Sequence, residues 1–137
     1  MNMNFGQLKI FLLFGISVVF LVTTIGCQKN PAIGKVTGTV TLDGKPLPNA
    51  SVTFHPDNSN TIPSLGGTDP NGKYELFYTD GKTGAIPGQY TVTISTGQAW
   101  NNIPETVPSQ YLDKTTSELQ FVVKPGNQTI NIELKSK

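Results

Sequence analysis

From Lys35 onward the chain alternates apolar and polar residues in short runs, and turn residues punctuate those runs. Val36, Gly38, Val40 and Leu42 fall on one face; Thr37, Thr39 and Thr41 fall on the other. A period of two is the pattern of a half-buried strand. The same alternation recurs at Ala50, Val52 and Phe54, at Tyr74, Leu76 and Tyr78, and at Tyr90, Val92 and Ile94. It returns at Leu119, Phe121 and Val123, and at Ile130, Ile132 and Leu134. Asp43-Gly44, Asp69-Pro70-Asn71-Gly72 and Lys124-Pro125-Gly126-Asn127 read as turns between these runs. His55-Pro56 ends the second run, because proline cannot donate to a ladder. Six strands follow from this, with a seventh at Ser64–Thr68. No segment after residue 30 carries a helical period. Short strands separated by regular turns predict an all-β sandwich of about seven strands in two packed sheets. The 22-residue connection 96–117 is the longest break between strands, and connections of that length are commonly functional or locally folded.

The first 26 residues are of another kind. Lys9 is their only charged side chain, and the stretch Ile10–Val22 carries no charge. Thr24-Ile25-Gly26 supply small residues before Cys27. A basic n-region, an apolar h-region and a small-residue cut site make a secretory signal peptide over residues 1–26. The apolar run is shorter than the roughly 20 residues of a spanning helix, although an uncleaved N-terminal anchor is an open alternative. Beyond it, nine lysines face nine acids and there is no arginine, so the remainder has zero formal net charge. A nucleic-acid binder needs a basic footprint, which excludes that class, and attachment to a membrane by polybasic attraction is unsupported as well. Cys27 is the only cysteine, so no intramolecular disulfide can form and an apolar core must hold the fold. The remaining 111 residues have the length of one domain.

With cysteine first after the cut, the N-terminus resembles a bacterial lipoprotein signal. That resemblance implies a diacylglyceryl group on the Cys27 thiol, cleavage of Gly26-Cys27, and membrane attachment through the lipid. Gln28, rather than Asp, in the next position implies the outer membrane if the cell is diderm. A buried, inert Cys27 is the remaining alternative. Residues 27–34 then form a lipidated tether, and 35–137 form the domain. Seven residues from Gln28 to Gly34 span at most about 23–25 Å, which holds the domain close to its membrane.

The domain itself resembles the carboxypeptidase regulatory-like and transthyretin-like family. GKVTGTVTLDGKPLPNASVTF is similar to its opening strand and hairpin, GGTDPNGKYEL to its "T-D-x-x-G-x-Y" strand, and IPGQYTVTIS to its "x-P-G-x-Y-x-V" strand. IPETVPSQYLDKTTSELQFVVKPGNQTINIEL is similar to the tail of small lipoproteins bearing this domain. The resemblance implies a transthyretin-like (prealbumin-like, Ig-type) sandwich preceded by a cleaved signal helix. It does not extend to isourate hydrolysis, which uses several histidines, an arginine and a C-terminal Tyr-Arg-Gly-Ser, whereas this chain has one histidine, no arginine and ends Lys135-Ser136-Lys137. Nor does it imply zinc peptidase chemistry, which belongs to a separate domain in the carboxypeptidases. Cna-B-like relatives join a first-strand lysine to a late asparagine. Lys35 and Asn131 occupy such regions, but Asn131 alternates with Ile130 and Ile132 and is expected to face solvent.

Little in the chain points to catalysis. The single histidine, His55, stands at a strand end with no nucleophile-elbow sequence anywhere. Zinc would need three or four ligands, and the Asp69 turn has Lys73 where a calcium loop needs an oxygen donor. No catalytic residue, metal or cofactor is therefore expected. The expected protein is a non-enzymatic, lipid-anchored module of the bacterial envelope that binds a protein or glycan partner, with Trp100 and Tyr111 as candidate contacts on the 96–117 connection. Alternatively both aromatics cap the open edge of the sandwich and the protein is a passive spacer. A transthyretin-like hydrolase is a third reading, and it lacks its motif residues.

Overall fold

A computed structural model describes residues 32–98 and 102–137. Residues 1–26, read above as a signal peptide, and Cys27 and Trp100 lie outside the described residues. Among the described residues nine strands form two sheets. They are β1 (Gly34–Leu42), β2 (Lys45–Pro46), β3 (Ser51–Pro56), β4 (Ser64–Gly67), β5 (Lys73–Glu75), β6 (Gly88–Ser95), β7 (Gln120–Val123), β8 (Gly126–Thr129) and β9 (Ile132–Leu134). The domain is an all-β sandwich, as the alternation predicts. Among the described residues no helix is long and apolar enough to cross a membrane.

β1 organises the first sheet. β2 and β5 pair with it antiparallel, while β8 and β9 pair with it parallel. Its alternation places Val36 and Val40 in the core and leaves Thr37 and Thr39 partly exposed. Asp43 (φ 50°) and Gly44 (φ 81°) turn the chain back into Lys45. Positive φ at both central residues is the tight-hairpin geometry that Asp-Gly favours. The second sheet is antiparallel throughout, in the order β4-β3-β6-β7.

The core lies between the sheets. Phe54 on β3 stands within 5.8–6.4 Å, centre to centre, of Tyr90, Phe121 and Tyr74. Tyr74 comes from the other sheet, so this cluster bridges the layers. Buried phenols need partners. Tyr74 donates to the Ile130 carbonyl at 2.7 Å, and Tyr90 donates to that of Ile86 at 2.7 Å. Burial pushes the Tyr90 phenol up to about 12 and the Tyr74 phenol higher still.

The structure corrects the sequence reading in three places. β2 adds a two-residue return that is too short to show alternation. The third strand stops at Glu75 instead of running to Tyr78, because Phe77 leaves the first sheet. Phe77 exchanges backbone hydrogen bonds with Leu65 of β4 (2.9 and 2.7 Å). The expected turn at 124–127 shrinks, since Gly126–Thr129 is itself a strand in register with Gly34–Thr37. Its polar residues lie along the rim of the sheet, where no apolar alternation is required.

Gly38 faces inward at a tight crossing. A Cβ there would lie 1.8 Å from the Ile130 carbonyl oxygen and 2.9 Å from the Tyr74 ring. Gly67 has nothing within 4 Å of the equivalent point. Gly38→Ala is expected to destabilise the domain by about 1–3 kcal/mol or more, whereas Gly67→Ala stays within about 0.5 kcal/mol. Denaturant unfolding of the two variants checks both; equal midpoints would contradict the assigned crossing.

Candidate functional site

The 96–117 connection is expected to present a working surface; its described residues, 96–98 and 102–117, anchor to the sandwich at a few points. β7 covers β6 only from Gly88 to Thr91. Beyond that point the connection takes over. Val92 N donates to Leu119 O at 2.8 Å, and the buried Ser117 hydroxyl donates to Val92 O. Val107 and Tyr111 join the core.

Tyr111 sits in a 3₁₀ turn, Ser109–Tyr111, with only 8% of its surface exposed. Its hydroxyl accepts a hydrogen bond from Lys135 N at 3.2 Å. The ring thus ties the connection to the end of β9 and closes the gap between the sheets. This corrects the assignment of Tyr111 to a binding surface: a ring so buried offers a partner almost no area. Trp100, the other candidate contact, lies outside the described residues.

The residue that organises the connection is Glu105, which the sequence reading passed over. Its carboxylate accepts hydrogen bonds from the Ser95 hydroxyl (2.6 Å), the Thr96 hydroxyl (2.7 Å) and the backbone N–H groups of Thr96, Gly97, Thr106 and Val107. Burial alone would raise its pKa, but these donors outweigh burial and hold it at about 2. Donors around an ionised carboxylate favour the charged form. Glu105 therefore staples the start of the connection to the end of β6. One signal marked it: Glu105 is the only charged residue between Lys82 and Asp113.

His55 lies on the outer face of the second sheet. Its Nε2 is 3.0 Å from the Thr93 hydroxyl. Partial burial and the nearby Lys114 ammonium lower its pKa, against the opposing pull of Asp113. Asp113 in turn accepts from the Thr115 N–H and hydroxyl, both at 2.7 Å. A hydroxyl, an imidazole and a carboxylate are thus neighbours. Thr93 is itself buried and already engaged, so the arrangement is a cross-strand polar contact with no exposed nucleophile.

The outer face of the first sheet carries an open depression of about 440 Å³ lined by Thr37, Thr39, Lys73, Glu75 and Thr129, among others. Its lining mixes these hydroxyls and charges with Gly38 and Tyr74, and it is a shallow open depression, unlike the concave, enclosing pockets that take small molecules. Asp69 on its rim accepts from Asn71 N (2.8 Å) and Lys73 N (2.9 Å), so its carboxylate is engaged within its own turn. Lys35 Nζ lies 3.1 Å from a Glu75 oxygen. Asn131 is exposed and accepts from Thr39 N at 3.1 Å. Lys35 and Asn131 thus have separate partners. No three His, Cys, Asp or Glu side chains gather among the described residues.

No family model and no curated protein matches the chain. Among solved structures it is similar to the crystal structure of a DUF3823 family protein from Parabacteroides merdae ATCC 43184, with a TM-score of 0.47 and 17% sequence identity. The match covers 77% of this chain and 47% of that one, so the chain spans about half of that protein's length.

Glu105 yields two expected outcomes. Its folded pKa is depressed from 4.5 to about 2, so its contribution is complete above the unfolded value and is lost as pH falls through the folded one. Because Glu105 is solvent-exposed and screened, Glu105→Gln should cost about 0.5–1.5 kcal/mol at neutral pH, and the difference from wild type should shrink between pH 5 and pH 2. Chemical denaturation across that range checks the sign; a gap independent of pH would contradict it. Tyr111→Ala should cost about 3–5 kcal/mol, and Tyr111→Phe only about 0.5–1.5 kcal/mol. A fully stable Tyr111→Ala variant would return Tyr111 to the surface.

Proposed function

We propose that the protein is a non-enzymatic, lipid-anchored accessory module of the bacterial cell envelope, a carboxypeptidase regulatory-like, transthyretin-like domain fixed to the membrane through Cys27. The observation that carries this reading is the placement of the lone cysteine. It follows an apolar signal segment directly, and it precedes the first residue of β1 by only seven positions. The all-β sandwich and the four family-like segments in order support the domain type. For such a protein the fold is a rigid body and the lipid is its address. Each buried methylene of an acyl chain contributes about 0.8 kcal/mol, so two or three chains hold a protein stably.

The burial of Tyr111 favours one refinement. A connection that closes the sandwich is a structural element, which moves weight from a loop-mediated binder toward a spacer or scaffold component.

The anchor is tested by fractionating cells that express wild type or Cys27→Ala, with intact-mass measurement of each. Wild type is expected in the membrane fraction, beginning at Cys27 and carrying acyl mass. Cys27→Ala is expected to lack that mass. Wild-type protein that keeps residues 1–26, or carries no acyl group, contradicts the reading.

A further inference from the structure

The tether enters the domain beside an exposed apolar pair. Gly34, the first residue of β1, exchanges backbone hydrogen bonds with Ala85 at 2.8 and 2.9 Å. Two residues earlier Thr83 bridges Phe77, and Phe77 bridges Leu65. Leu76 N donates to Val36 O, so Phe77 lies level with the first residues of β1. A Cβ on Gly84 would lie 2.7 Å from the Ile33 side chain, which places the last tether residue against the same 83–85 segment. Adjacent strands are about 4.8 Å apart. Phe77 therefore stands only about two such spacings from the point where the tether joins the fold.

Phe77 and Leu65 are direct cross-strand partners, yet they are 47% and 54% exposed. Ile62, leading into β4, is 41% exposed. Lys82 is exposed beside Thr83. Phe77 and Leu65 thus stand side by side on the surface, and adjacent exposed apolar side chains mark a contact with another phase or partner. We infer that this patch seats on the headgroup and acyl boundary of the membrane that holds the anchor, with Phe77 and Leu65 inserted and the Lys82 ammonium directed at lipid phosphates.

The occupant follows from reach. Six residues, Gln28 to Ile33, separate Cys27 from the patch side of the domain, and they extend at most about 20 Å. A lipid on Cys27 thus keeps a bilayer within reach of Phe77 at all times, and tethering of this kind converts a weak second contact into a populated one. Lys45, by contrast, follows the whole length of β1, about 30 Å away. The domain stands on its β1-entry end with the Asp43-Gly44 hairpin farthest from the lipid. This orientation rests on the proposed anchor, and the test separates the two.

The full-length chain is prepared with Trp100→Phe, which leaves Phe77→Trp as its only tryptophan, and a matching Lys45→Trp control is made. Far-UV circular dichroism confirms that each folds. Each is reconstituted in phosphatidylethanolamine–phosphatidylglycerol vesicles containing brominated acyl chains, and the intact mass of the same sample is recorded. Trp at 77 should lose roughly half its emission or more, as fits a side chain buried about 5–10 Å into the interface, while Trp at 45 keeps its emission. Acylated protein with unquenched Trp at 77 overturns the docking and leaves the anchor standing. Quenching without acyl mass supports the docking and overturns the anchor. Loss of both overturns both. A concentration-dependent blue shift without vesicles, unquenched by bromine, assigns the patch to a second copy and overturns the bilayer as occupant.

Discussion

Pairing along β1 is the constraint on which the rest of the domain depends. One nine-residue strand holds four others, two antiparallel and two parallel. Its inner face supplies Val36 and Val40 to the core, and Gly38 makes room for Tyr74 and the Ile130 carbonyl. The Tyr74 hydroxyl then bonds that same carbonyl, joining β5 to the approach of β9 across β1. The Phe54 cluster locks this sheet to the other through ring contacts. With no disulfide to constrain the unfolded chain, these contacts carry the stability of the domain.

The second sheet is incomplete by itself. The far half of β6 pairs with β3 on one side but has no strand on the β7 side, and described residues of the 96–117 connection lie there. Glu105 fixes its start with hydrogen bonds, Val107 and Tyr111 fill its middle, and Ser117 and Leu119 return it to the ladder at Val92. The described connection therefore has four residues, Glu105, Val107, Tyr111 and Ser117, that act structurally. Its length reflects the edge it must cover and the depth at which Tyr111 must sit.

Most strand positions were legible because their inner faces are apolar, so a period of two survives in the sequence. The parallel pairing of β8 and β9 was not legible, since alternation says which residues face inward and nothing about strand direction. Lys124-Pro125-Gly126-Asn127 reads as a turn because the strand that begins at Gly126 lies on a polar rim and shows no alternation. Phe77 broke the reading of the third strand: its neighbours alternate regularly, but its backbone pairs with Leu65 in the other sheet. At the candidate site, Tyr111 could be placed on the right segment but not assigned a direction, because an aromatic beside a loop serves a partner or a core equally well. Glu105 acts through four backbone donors that have no residue identity and two hydroxyls, Ser95 and Thr96, of a kind common all along the chain, and only its isolation in a neutral stretch marks it.

On the proposed reading, the two ends of the sandwich have different tasks. The entry end carries the tether and the Phe77–Leu65 pair; the Asp43-Gly44 hairpin points away. The most direct measurement is neutron reflectometry of the acylated protein on a supported bilayer. The account predicts a protein layer in contact with the headgroups, its long dimension set by β1 at roughly 30 Å. A solvent layer between protein and bilayer approaching the tether's full reach of about 23–25 Å, or protein that washes off the bilayer, would contradict it.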